Sequence, residues 1–346
     1  MDSTPFHLPP SLPPTETLFY PAVSPASSEP QTYFLFLPGN PGLIEYYRSF
    51  LSTLSALLSR RINILGVSHS GFHTRQTGAR PDAPGYWTLS EQIEQKVHLV
   101  EWLGRLDPRT GASEGSSSDE DERQHGGSTR VIIAGHSVGA FIAMEVLRVL
   151  GEQRNKQGSR GGIDVIGGVM LFPTIVDIAK SPSGRLLSGL FSLTPSLPTF
   201  VSYLSASAAI LPSRLLYLLV LIVTRQPSSA AATTLSFLTI PGAVFQALSL
   251  ARDELRDITA DPWGTDIWGS EKTGGSRLVF YFGRKDNWVA EATRDAIIKA
   301  RGRGRGEDWK PKMVVCESGV PHEFCIKHGE EMAEEVAAWV RGMLDR

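Results

Sequence analysis

Cysteine is scarce in this chain of 346 residues: there are two, Cys316 and Cys325, too few for a disulfide framework. Excess charge of either sign is absent as well. Lys and Arg number 34 against 36 Asp and Glu, a net charge of -2. That balance gives no basic field to gather nucleic acid, so a nucleic-acid partner is not expected. No apolar run approaches the ~20 residues of a simple membrane-spanning helix. The first thirty residues are rich in Pro and Ser and lack the basic-then-apolar order of a signal peptide. An intracellular chain with reduced thiols is expected, and Cys316, set in an apolar strand, reads as a small buried hydrophobe. His69 and His73 share a loop but lack companion ligands at metal-site spacing, so neither a metal nor an organic cofactor is expected.

What is present is enough apolar material for a large core, 41% of residues, and one stretch that organises it. Thr129 to Val149 reads T-R-V-I-I-A-G-H-S-V-G-A-F-I-A-M-E-V-L-R-V. A β-branched run meets Gly135-His136-Ser137-Val138-Gly139, and helix-spaced Phe141, Ile142, Met144, Val146 and Leu147 follow. This is strand, sharp turn, helix. In that context G-x-S-x-G forms a nucleophile elbow, whose glycines let strand and helix approach while the serine hydroxyl stands clear. Ser137 is the candidate nucleophile.

The rest of the chain repeats this alternation. Residues 1–15, polar and proline-rich, read as a flexible arm. Thr17 to Val23 is a possible edge strand, Tyr33 to Leu37 a strand, Glu45 to Leu58 a helix, and Ile62 to Val67 a strand. Leu89 to Leu106 reads as an amphipathic helix with Ser90 as a possible N-cap. Residues 107–128 carry a Ser-Ser-Ser-Asp-Glu-Asp-Glu run that cannot bury apolar surface, and disorder is expected there. Glu152 to Gly162 reads as a second polar insertion. Ile163 to Phe172, Arg277 to Phe282 and Met313 to Cys316 are further strands, and Glu330 to Met343 is a closing helix. Such alternation predicts an α/β domain over residues 16–346, a mostly parallel central sheet with helices on both faces.

A serine hydroxyl needs a base to take its proton and donors to hold the resulting oxyanion. The strand Leu278 to Phe282 runs into Gly283-Arg284-Lys285-Asp286, placing Asp286 just past a strand end as the candidate acid. Asp177, Asp261 and Asp266 are its rivals. His322 lies on the loop after the last strand and is the candidate base, while His136 reads as a packed or hydrogen-bonded neighbour of the nucleophile. For the oxyanion hole, Val138 supplies one backbone NH. Pro38-Gly39-Asn40-Pro41-Gly42 supplies the other, with Asn40 the best donor because Pro41 has no NH.

The run Phe36-Leu37-Pro38-Gly39-Asn40-Pro41-Gly42, with Tyr46-Tyr47, Phe50, the Gly135 to Gly139 elbow, Asp286 and His322, resembles the lipid droplet-associated hydrolase family of α/β-hydrolases. The resemblance runs from about Tyr33 to the end, outside the two polar insertions. It implies an α/β-hydrolase fold and a serine hydrolase of sterol esters or other neutral lipids. It also implies a place on the cytoplasmic surface of the lipid droplet or endoplasmic reticulum. A scaffold with little hydrolytic activity and a soluble esterase or thioesterase are the alternatives.

About a hundred residues separate Phe172 from Arg277, far more than a crossover needs. Residues 174–275 read as an inserted apolar helical lid or membrane-contact segment. Leu215 to Val223 is apolar throughout, and Pro212 and Arg214 divide it from Phe200 to Leu211. Two readings stand: a hydrophobic lid, or a hairpin dipping into one leaflet through Leu215, Leu216, Leu218, Leu219, Val220, Leu221 and Ile222. Trp263 and Trp268 suit either an interface or lid packing.

Overall fold

The computed structural model describes residues 3–23, 30–72, 85–106, 129–157, 162–208, 210–269 and 277–345. The expected disorder of residues 107–128 falls outside them. Seven strands form one sheet: β1 (Thr17–Tyr20), β2 (Thr32–Leu37), β3 (Asn63–Val67), β4 (Thr129–His136), β5 (Ile163–Leu171), β6 (Leu278–Phe282) and β7 (Lys312–Val315). Their spatial order is β1-β3-β2-β4-β5-β6-β7. Among these seven strands only the β1–β3 pairing is antiparallel. The central strands are apolar on both faces because both are covered. On β2, for example, Tyr33, Leu35 and Leu37 join one core cluster and Phe34 and Phe36 the other.

Helices α1 (Arg48–Leu57) and α11 (Gly329–Leu344) pack together on one face of the sheet. The opposite face carries α2 (Leu89–Leu103) and α3 (Val138–Gln157). Between β5 and β6 the chain builds α4 (Pro182–Leu193), α5 (Leu197–Ala208), α6 (Ser213–Thr224), α7 (Ser228–Thr239), α8 (Ala243–Asp257) and the single turn α9 (Thr265–Trp268). A further helix, α10 (Glu291–Arg301), links β6 to β7.

Three local expectations are corrected. Helix α2 is capped by Thr88, not Ser90: the Thr88 side chain accepts from Glu91 N and the Glu91 carboxylate from Thr88 N, a reciprocal capping box. Helix α3 continues to Gln157, into the stretch expected as a polar insertion, with Arg148 and Glu152 paired one turn apart at 2.6 Å. Nor does the amino-terminal arm hang free. Thr4 N donates to Phe19 O at 2.8 Å, Phe6 packs on the Phe19 and Trp102 rings, and Leu12 is buried. Phe6, Leu8 and Leu12, the apolar side chains among the prolines, pack on the core.

Candidate active site

Strand β4 delivers Ser137 at the carboxyl edge of the sheet, where an open parallel sheet reverses its strand order and leaves a crevice. The turn into α3 is tight enough to force Ser137 into the left-handed region, φ +54°, a conformation that costs on the order of 1–2 kcal/mol for a residue with a Cβ. The surroundings enforce it. Ser137 N donates to Leu171 O at 3.0 Å, and Ala140 N to Ser137 O at 3.0 Å. A Cβ on Gly139 would lie 2.4 Å from the Leu37 and Pro38 carbonyl oxygens, and one on Gly135 2.2 Å from Gly139 O. Both glycines are there for close backbone approach.

The three residues expected to act together are brought together. Ser137 Oγ lies 3.0 Å from His322 Nε2, and His322 Nδ1 lies 2.8 Å from Asp286 Oδ2. A carboxylate only accepts, so Nδ1 carries the proton and Nε2 is free to accept from the serine. The other oxygen of Asp286 takes the backbone NH groups of Trp288 (2.7 Å) and Val289 (3.2 Å), which fixes the carboxylate in plane. The rival acids are engaged elsewhere. Asp177 pairs with Lys180, Asp261 with Arg301 and the Trp268 indole, and Asp266 is exposed. His328 pairs with Glu331 on the surface.

Pro38-Gly39-Asn40 folds directly over the serine: a Cβ built on Gly39 would come within 3.1 Å of Ser137 Cβ. Gly39 N is already committed, donating to Tyr47 Oη at 2.9 Å. Among the described residues the Asn40 and Val138 backbone NH groups have no protein acceptor.

Tyr47 and His136 belong to a buried relay that the sequence did not reveal. The Tyr47 hydroxyl accepts from Gly39 N and lies 2.7 Å from His136 Nδ1. The His322 backbone carbonyl, 2.9 Å from His136 Nε2, only accepts, so Nε2 carries the hydrogen and Nδ1 of the neutral ring accepts from Tyr47. Burial, and next the neighbouring His322, hold His136 well below the usual imidazole range, so it stays neutral as this pattern requires. Burial pushes the Tyr47 phenol well up. One chain of hydrogen bonds therefore ties the turn over Ser137 to the backbone of His322.

These groups open on a cavity of about 260 Å³ lined by Asn40, Tyr46, Ser137, Trp288 and His322 from the sheet side and by Gln226, Ala251, Glu254 and Leu255 from the insertion. Glu254 is buried, and desolvation raises its carboxyl to about 8. Among the described residues no group of three His, Cys, Asp or Glu side chains is placed to hold a metal; His73 lies outside them.

The insertion has an apolar exterior. On α6, Leu215, Leu218, Leu219, Ile222 and Val223 are exposed, the last two at 71% and 78%, and Leu193, Phe200 and Tyr203 extend apolar exposure to α4 and α5. Leu216 and Val220 differ from expectation. One turn apart on the same face, they are buried inside the protein and face no membrane. Leu221 is half-buried. Among the described residues no single helix is long and apolar enough to cross a membrane; α6 and α7 qualify only together, across a bend of 118°. Trp263 and Trp268 are packing residues, both buried in the core, with Trp263 Nε1 donating to Glu145 at 2.8 Å.

A seven-stranded, mostly parallel sheet with this elbow at its carboxyl edge defines an α/β-hydrolase. The fold of a 2-hydroxy-6-oxo-6-phenylhexa-2,4-dienoate hydrolase from a Rhodococcus species superposes with a TM-score of 0.53, at 13% identity over 94% of each chain. The family model for lipid-droplet associated hydrolase matches residues 30–325, and the chain belongs to that family of hydrolases. Lipid droplet-associated hydrolase from Gallus gallus is 24% identical over 325 residues, covering 92% of this chain and 87% of that protein. The protein of the same name from Rattus norvegicus is 24% identical over 333 residues, with 92% and 87% covered.

Proposed function

We propose that the protein is a serine hydrolase of lipid esters, sterol esters or other neutral lipids, working at the surface of the lipid droplet or endoplasmic reticulum. The observation that carries this reading is the hydrogen-bonded line Ser137–His322–Asp286 beside the uncommitted backbone NH groups of Asn40 and Val138. Ser137 Oγ attacks the ester carbonyl carbon as His322 Nε2 takes its proton. The oxyanion forms against the NH groups of Asn40 and Val138, and Asp286 stabilises the imidazolium. Collapse expels the alcohol, which takes the proton from His322. Water, deprotonated by the same histidine, then releases the fatty acid and restores Ser137. Asn40 is the better donor on the turn because Gly39 N is held by Tyr47.

The insertion serves as the lid, and its exposed leucines, Ile222 and Val223 dock on the phospholipid monolayer. A bent pair such as α6 and α7 can enter a monolayer from one side, where a straight span has no second aqueous face to reach. The test is labelling of wild type and Ser137→Ala with a fluorophosphonate probe, with and without phospholipid-coated oil droplets. Labelling of wild type alone, strengthened by droplets, is expected. A wild type that stays unlabelled in both conditions leaves a lipid-binding scaffold as the better reading.

A further inference from the structure

Among the described residues, Glu254 is the one acidic side chain that the insertion brings into the wall of the cavity holding Ser137. It sits on α8, is 5% exposed, and accepts through Oε1 from Asn40 Nδ2 at 2.9 Å. The same amide gives its other hydrogen to the Ala247 carbonyl, also at 2.9 Å and two turns earlier on α8. Both hydrogens of the Asn40 side chain are thus held by one helix of the insertion, while its backbone forms the turn over the serine. Among the described residues no lysine or arginine pairs with Glu254. Its neighbour Asp253 takes what is available: the Tyr86 hydroxyl at 2.8 Å, Leu89 N at 3.2 Å and the Arg256 guanidinium at 3.0 Å. Asp253 is therefore equipped to be an anion and Glu254 is not.

Resting on the hydrolase reading above, we propose that Glu254 is a positioning residue: as an uncharged acid carried by the lid, it anchors Asn40 and so the oxyanion turn, and its ionisation opposes the oxyanion formed there. The geometry gives the reason. A carboxylate bonded to the Asn40 amide places negative charge beside the backbone NH where the transition state develops its own. Burial, and then the charge of Asp253, keep the proton on Glu254 up to about 8, against the pull of the Asn40 hydrogen bond.

The other titratable groups facing the cavity are His136, His322, Tyr46, Tyr47, Glu323 and Cys325. Burial raises Tyr46 and Cys325 to about 12, lifts Tyr47 well above its ordinary value and holds His136 neutral. His322 takes the serine proton as base. Glu323 follows it on the same loop, and on α8 itself Arg256 is engaged by Asp253 and Asp257.

The test compares full-length wild type, Glu254→Gln and Glu254→Leu for hydrolysis of p-nitrophenyl butyrate between pH 6 and 10, after fluorophosphonate labelling has been scored. Wild-type kcat should fall above pH 8, by about 30-fold at pH 9.5 for a single ionisation. Glu254→Gln, which keeps a neutral hydrogen-bond partner for Asn40, should lack this alkaline limb. Glu254→Leu should lose tenfold or more in kcat with little change in KM, and Glu254→Gln should recover most of that loss. An infrared difference spectrum of wild type minus Glu254→Gln at pH 7 should show one protonated carboxyl, a readout independent of turnover. A labelled, active wild type whose alkaline limb persists in Glu254→Gln overturns the proposal, as does absence of the protonated carboxyl. An unlabelled wild type instead overturns the hydrolase reading, and the proposal falls with it.

Discussion

Tyr47→Phe removes one oxygen atom and tests the relay beneath the site. The Tyr47 hydroxyl is the acceptor for Gly39 N at 2.9 Å and the donor to His136 Nδ1 at 2.7 Å, and all three groups are buried. Phenylalanine leaves a buried NH and a buried imidazole nitrogen without partners, each at about 1–3 kcal/mol, so roughly 2–6 kcal/mol of stability should be lost. For a chain of 346 residues, at about 2.1 cal/mol/K of unfolding entropy per residue, that lowers Tm by about 3–8 °C. Because Gly39 N is what pins the turn ahead of Asn40, kcat for a soluble ester should fall about tenfold while KM changes little. Calorimetry and steady-state kinetics measure the two losses, and a double-mutant cycle with His136→Phe measures the shared bond. The double mutant should be less destabilised than the sum of the singles by about 1 kcal/mol or more. His136→Gln, which can still accept from Tyr47 and donate to the His322 carbonyl, should recover part of the loss. A Tyr47→Phe variant within ~0.5 kcal/mol of wild type, or a cycle additive within ~0.5 kcal/mol, would refute the relay.

Gly139→Ala should cost roughly 2–4 kcal/mol and abolish probe labelling at Ser137, since the added methyl meets two backbone carbonyl oxygens at 2.4 Å that have no slack; a stable, labelled variant would contradict the tight elbow. Glu254 gives a stability profile with a defined sign. Its folded carboxyl holds the proton to about 8 against an ordinary 4.5, so its contribution is intact below pH 4.5 and is lost as the pH rises to 8. Urea titrations should therefore show Glu254→Gln gaining on wild type across that window, by up to a few kcal/mol on the order of 1.4 per pH unit, and a constant gap would sink the assignment. Ile222→Asp and Val223→Asp lie on the exposed face of α6; melting should move little, yet flotation with oil droplets should weaken at least tenfold, because an aspartate in lipid costs about 2.5–3.5 kcal/mol. Unchanged flotation would assign that face to something other than a monolayer.

The catalytic candidates were legible because each sits where local sequence dictates backbone geometry. Gly135 and Gly139 around Ser137 allow an approach that a Cβ would block, and Asp286 and His322 lie on the loops that leave β6 and β7. Tyr47 and Glu254 were not legible in this way. Tyr47 lies in a 3-10 turn and meets His136 across 89 residues. Glu254 in A-R-D-E-L reads as one more polar position on an amphipathic helix. The same limit applies to the insertion, where an all-apolar run cannot say which of its faces is covered: Leu216 and Val220 turned out to be inside.

Apolar periodicity, the two glycines of the elbow and the order of serine, acid and histidine along the chain determined the fold class and the identity of the candidate triad, because strand, turn and helix preferences act between near neighbours. Only the tertiary structure decided which neutral and buried groups hold that triad in place, which helix of the insertion reaches Asn40, and which apolar side chains face outward. Those outcomes depend on burial and on contacts between residues up to 214 apart, such as Asn40 and Glu254, and both are set by how the elements pack.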